Sequence, residues 1–93
     1  LKRGNVNFRG AFREDSSPVV RYNIETPGLV TISIFSATSQ LVMSTSRGVQ
    51  EIGKYTFAWN TRMDDGQKVP PGYYIGVVTV GSLSILRKVI RVE

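Results

Sequence analysis

The chain has 93 residues with no cysteine and no histidine, and twelve Lys and Arg against seven Asp and Glu give it a net charge of +5. That length makes one small domain, residues 1–93, whose core must be compact because a short chain buries a smaller share of its surface than a long one. The missing residue types exclude disulfide staples, acyl-transfer triads, thiol nucleophiles and histidine- or cysteine-rich zinc sites, so four Tyr, four Phe, one Trp and the aliphatics must stabilise the fold by burial.

The basic excess is local. Lys2, Arg3, Arg9 and Arg13 precede the first acid, and Arg87, Lys88 and Arg91 sit near the end. Nucleic-acid binding needs a clustered footprint, whereas several of these side chains alternate with apolar ones as on the solvent face of a strand. The expectation is no nucleic-acid partner, with a basic patch for some other partner left open. No apolar run approaches the roughly eighteen residues of a membrane helix, and no secretory signal is visible. The chain starts at Leu1 rather than Met, which reads as a fragment or processed product.

In chain order, residues 1–5 read as the end of a linker from an upstream domain, followed by a short edge strand around Val6 and Phe8. Arg13–Pro18 is polar and ends in a proline, so it reads as a turn. Val20, Tyr22 and Ile24 share one face of a first clear strand. Glu25-Thr26-Pro27-Gly28 is a tight turn, with Pro27 fixing φ and Gly28 accepting a positive φ. Val30, Ile32 and Ile34 mark the inner face of the next strand, and the two strands are expected to form a hairpin.

Ser36–Gln40 is a polar connection. Leu41, Val42 and Met43 begin a short strand that dissolves into Ser44–Gly48, and Val49–Ile52 is connecting chain. After Gly53, Tyr55, Phe57 and Trp59 share one parity. A loop with Asp64-Asp65-Gly66 and Pro70-Pro71-Gly72 leads to a strand over Tyr73–Val80, with Tyr74, Gly76 and Val78 on one face. Gly81-Ser82 closes the last turn before Leu83–Val92. There Leu86, Ile90 and Val92 share a parity that Lys88 interrupts, which a bulge or an edge position with a snorkelling lysine would explain. No segment shows a helical period. Six to eight or so short strands imply an all-β, two-layer sandwich of about seven strands.

The acids are the main groups left for acid–base or hard-metal chemistry. Asp64 and Asp65 are adjacent and point opposite ways on an extended chain. An ordinary turn is the simpler reading, with a weak calcium site as the alternative, since the oxygen-rich spacing of a calcium loop is absent. Glu14 and Asp15 read as loop acids. No phosphate-cradling motif precedes a helix, so neither a metal nor a cofactor is expected. Tyr55, Phe57, Trp59, Tyr73 and Tyr74 could form a sugar-stacking platform. Parity assigns Phe57, Trp59 and Tyr74 to the core instead and leaves Tyr73 as the exposed candidate. The parity of Tyr73, Ile75, Val77 and Thr79 is too apolar for a strand facing water. Either the strand is central and covered by a neighbouring segment, such as the N-terminal residues, or it contacts another domain.

From about Val20 onwards the chain resembles the immunoglobulin-like, or fibronectin type III-like, domain of the flagellar hook-capping family, and equally the related type IX secretion sorting domains (type A). Val20, Tyr22 and Ile24 match an I-x-Y-x-L strand. Val30, Ile32, Ile34 and Phe35 match V-x-L-x-I-Y after the proline–glycine turn. Gly53, Trp59, Gly66, Val69, Gly72 and Tyr74 fall at the spacing of the family's tryptophan-to-tyrosine block, and Gly81 and Lys88-Val89-Ile90 match its close. Ser39 and Thr61 stand where the family has glycine, and Met63 stands at its aspartate, with Asp64 just after. The opening Asn5–Phe8 is a weak echo of the family's Asn-Pro-Phe start.

The resemblance implies an immunoglobulin-like sandwich built on Tyr22, Ile24, Val30, Ile32, Ile34, Val42, Phe57, Trp59, Tyr74, Val78 and Ile90. Pro27, Gly28, Gly53, Gly66, Gly72 and Gly81 would shape its turns. It further implies a non-catalytic, C-terminal accessory module of a larger bacterial protein. The first expectation is a secretion, sorting and surface-attachment domain, secreted or at the cell surface and periplasmic in transit. Its partners would be the upstream domain, the secretion machinery or cell-surface components. The alternatives are a structural assembly domain of a hook-capping protein and a carbohydrate-binding module. Tyr73, Ile75, Val77, Arg87, Lys88 and Arg91 are the candidate partner contacts.

Overall fold

The computed structural model describes residues 18–93, so the linker, the strand around Val6 and Phe8 and most of the Arg13–Pro18 turn lie outside the described residues. Six strands follow in order: β1 Val19–Ile24, β2 Gly28–Ser36, β3 Leu41–Gln50, β4 Gly53–Ala58, β5 Gly72–Val80 and β6 Leu83–Val92. All pairings are antiparallel, and the described residues contain no helix. A two-stranded sheet, β1-β4, covers one face of a four-stranded sheet ordered β3-β2-β5-β6.

The expected hairpin of the first two strands does not form. β1 pairs with β4, Val20 opposite Phe57 and Tyr22 opposite Tyr55, whereas β2 runs between β3 and β5. Each of these strands has one apolar face, and in opposite layers the two faces pack against each other in a common core. Glu25–Pro27 therefore crosses between sheets. Gly28 is also needed for a different reason than a positive φ: a Cβ there would lie 2.7 Å from Val80 Cγ1. The strands on either side of the loop after Trp59, β4 and β5, likewise belong to different sheets.

β3 is longer than its apolar residues suggest. It continues through Ser44–Gln50 against β2, so Val49 and Gln50 are strand and only Glu51-Ile52 connect it to β4. Ladder hydrogen bonds are made by the backbone and do not require apolar side chains. Polar pairs fit this edge, as where the Ser33 and Ser44 hydroxyls lie 3.2 Å apart. A bulge opposite Val30/Thr31 is formed with Gly48 at φ 72°.

β6 has both features that its broken periodicity allowed. It is an edge strand, and Ile85 is an extra residue between the Val78–Leu86 and Thr79–Ser84 pairs. Lys88 reaches the other layer, where its Nζ donates to the Val19 carbonyl at 3.0 Å.

The core unites Val20, Tyr22 and Ile24 of the small sheet with Val30, Ile32, Ile34, Tyr74, Val78, Ile90 and Val92 of the large one. Trp59 closes one end with no exposed surface. Two core assignments need correction. Phe57 is only half-buried because it lies on an edge strand of a two-stranded sheet, where the Arg47 guanidinium covers its ring at 5.4 Å. Val42, at the start of edge strand β3, is also half-buried, although both side chains touch the core. Val69 is a core residue that periodicity misses, because it sits alone in the loop after Trp59.

Candidate functional site

The loop over residues 60–71 is the obvious place for chemistry, and its polar groups are committed to shaping it. Trp59 Nε1 donates to the Arg62 carbonyl at 3.0 Å, and Val69 N donates to the Thr61 carbonyl at 2.9 Å. Asp65 Oδ1 accepts from Gln67 N at 2.9 Å, the local side-chain turn that aspartate favours. Asp64 has a longer reach than a turn residue needs. Its N–H donates to the Val42 carbonyl and its Oδ2 accepts from Ser44 N, each at 3.3 Å. One residue thus occupies two main-chain groups on the free edge of β3. Gly66, at φ 90°, lets the loop turn back. Met63, at the position of the family aspartate, packs against the core. Among the described residues, no group of three or more Asp or Glu could hold a metal ion.

The aromatic residues do not assemble into an open platform. Trp59 and Tyr74 are buried against each other, and Tyr55 stacks on Tyr22 with centroids 5.6 Å apart. Tyr73 is 59% exposed and faces away from all of them, on the outer face of the large sheet.

That outer face is where the apolar residues without a core role converge. Because Tyr74, Gly76 and Val78 point inward, Tyr73, Ile75, Val77 and Thr79 point outward. The register places Leu41, Phe35, Ile75 and Val89 directly opposite one another, one apolar row across all four strands. Leu41 is 58% and Val89 64% exposed, and Phe35 and Ile75 are half-buried. The next row is Ser44, Ser33, Val77 and Arg87, and the one after is Ser46, Thr31, Thr79 and Ser84. The four-residue apolar row lies at one end, beside Tyr73 and Arg91, which face each other across β5 and β6, while an exposed pair, Leu29 opposite Val49, lies at the other end. Val77 is buried yet lies outside the core cluster.

Of the two explanations for this parity, β5 is indeed a central strand, but its outer face is not covered by any described element at Tyr73. The six contact candidates separate accordingly. Tyr73, Ile75, Val77, Arg87 and Arg91 share the outer face, whereas Lys88 turns to the other layer. Sequence reasoning missed Phe35, Leu41 and Val89 as members of the patch. Each looks like an ordinary strand residue until register aligns it with Ile75.

Three comparisons with known proteins bear on this architecture. The model of the FlgD Ig-like domain family matches residues 8–83. A search of curated proteins finds no match. Among solved structures, the crystal structure of FlgD from P. aeruginosa superposes with a TM-score of 0.63 at 18% identity, covering 81% of this chain. The chain spans 59% of the length of that FlgD chain. The structural likeness supports an immunoglobulin-like fold, and none of the three supports the resemblance to type IX sorting domains. With the family match extending over most of its length, the chain belongs to the FlgD Ig-like domain family of flagellar hook-capping proteins.

Proposed function

We propose that this domain is a structural assembly module of a hook-capping protein, a non-catalytic body that packs against other protein subunits through the outer face of its four-stranded sheet. The observation that carries the reading is the apolar row Leu41–Phe35–Ile75–Val89 with Tyr73 beside it. A sheet face open to water favours polar outward residues, and contiguous exposed apolar patches mark interaction sites. Family membership supplies the setting, since hook-capping proteins act in flagellar assembly. The expectation of a sorting and surface-attachment domain lacks comparable support.

The test is complementation of a strain lacking its hook-capping protein with the parent protein carrying Tyr73→Ala and Val89→Glu. Both positions are exposed, so the fold should survive. Hook assembly should fail while the purified variant keeps its melting temperature. Normal hooks from the double variant would refute the reading.

A further inference from the structure

The four-stranded sheet ends in two edges of opposite character. On β3, Asp64 occupies the Val42 carbonyl and the Ser44 N–H, so a visiting strand meets groups already bonded at the start of that edge. On β6, among the described residues, no main-chain group bonds the side facing away from β5. The bulge at Ile85 interrupts only its first part, leaving Leu86–Val92 as a regular free edge. Lys88 points inward from this strand, its Nζ donating to the Val19 carbonyl, and so leaves the main chain of the outer edge uncovered.

The side chains along this edge limit what can add to it. Arg87, Val89 and Arg91 alternate on the outer face, Val89 forming the end of the apolar row. A second copy is disfavoured: pairing β6 with itself antiparallel about Val89 sets Arg87 against Arg91, and like charges directly opposite are destabilising. Lys2, Arg3, Arg9 and Arg13, which precede the first acid, carry the same sign of charge as Arg87 and Arg91. An extended segment with carboxylates on either side of an apolar residue, at alternate positions, satisfies every group at once.

We propose that the free edge of β6 takes up an acidic extended segment of a partner protein by strand addition. Its main chain continues the sheet, its carboxylates face Arg87 and Arg91, and its apolar residue lengthens the row ending at Val89. Strand addition draws affinity from main-chain bonds and specificity from alternate side chains. For its biological partner the inference rests on the assembly reading above. Its chemistry can be tested without that reading.

The probe is a labelled peptide with the core Glu-Thr-Val-Thr-Glu, compared with Lys-Thr-Val-Thr-Lys and with a version carrying proline at the central position. Binding to the full 93-residue chain is followed by fluorescence anisotropy at low salt, and β6 amides by hydrogen exchange. The acidic peptide should bind about tenfold more tightly than the basic one, as two favourable charge pairs replacing two unfavourable ones suggest. It should slow exchange of β6 amides facing away from β5, and the proline version should do neither. Arg87→Glu with Arg91→Glu should invert the preference between the acidic and basic peptides. Equal binding of both peptides, no binding of either, or protection in the free chain of the β6 amides that face away from β5 would overturn the proposal. If the peptide test fails while Tyr73→Ala/Val89→Glu still abolishes hook assembly, only the strand-addition inference falls.

Discussion

Trp59 and Tyr74 meet edge-on between the two layers, their ring centroids 5.4 Å apart and their planes at 69°. Each also holds the intervening loop by a carbonyl. Trp59 Nε1 bonds that of Arg62, and Tyr74 Oη bonds that of Pro70 four residues before it, as in the tyrosine corners of other sandwiches. The loop that joins the sheets is thus fixed by the same pair that packs them.

Trp59→Ala should therefore be among the most damaging single changes. It opens a large cavity and releases the loop, at a cost of about 3–5 kcal/mol, most of the stability of a small domain. Tyr74→Phe keeps the ring and loses one bond, costing about 1 kcal/mol. Urea unfolding of the two variants should show this ordering. A Trp59→Ala protein within about 1 kcal/mol of the parent would contradict the role given to the pair.

Ser39 and Thr61 predict gains instead. They are the non-glycine residues with left-handed backbone among those described, at φ 70° and 61°, at the two positions where the family resemblance leads one to expect glycine. A left-handed conformation costs an L-residue about 1–2 kcal/mol, and a β-branched side chain fits it poorly. Thr61→Gly relieves that strain against a smaller loss from the freer unfolded chain. It should raise stability by about 1 kcal/mol, or roughly 4–8 °C in melting temperature for a domain of this size. Ser39→Gly should gain less. Thr61→Ala, which keeps Cβ and loses only the branch, is the control and should raise the melting temperature clearly less than glycine does. Equal effects of alanine and glycine at position 61 would show that the backbone conformation is not the cause.

Asp64 predicts a local effect with little global cost. Asp64→Ala removes the acceptor of Ser44 N, while Asp64 N still reaches the Val42 carbonyl through the main chain. Overall stability should change by less than about 1 kcal/mol, and Asp64→Asn should change it less still. Hydrogen exchange at the Ser44 amide should speed up severalfold in the alanine variant. An unchanged rate would mean that the carboxylate does not guard the edge of β3.

The parts of this fold legible in the sequence are those set by alternation within one strand. Val20/Tyr22/Ile24 and Val30/Ile32/Ile34 announce their inward faces because a half-buried strand repeats every two residues. Which strands pair is a long-range matter. Nothing local in Glu25–Gly28 says that the chain changes layers there instead of turning back. The second half of β3 is hidden because Ser44, Thr45 and Ser46 have no apolar parity to display. The patch is half legible: Tyr73, Ile75 and Val77 stand out as an excess of apolar residues on one parity. Phe35, Leu41 and Val89 join them only through the register of three separate pairings.

The central claim is that the outer face of the large sheet, and not the opposite side of the molecule, meets other subunits. It is tested most directly by placing a photo-crosslinking amino acid at position 73 and, in a second protein, at position 21, where Arg21 is exposed on the small sheet. Irradiation during hook assembly should give heterologous cross-links from position 73 and none from position 21. Cross-links from position 21 with none from position 73 would contradict the account.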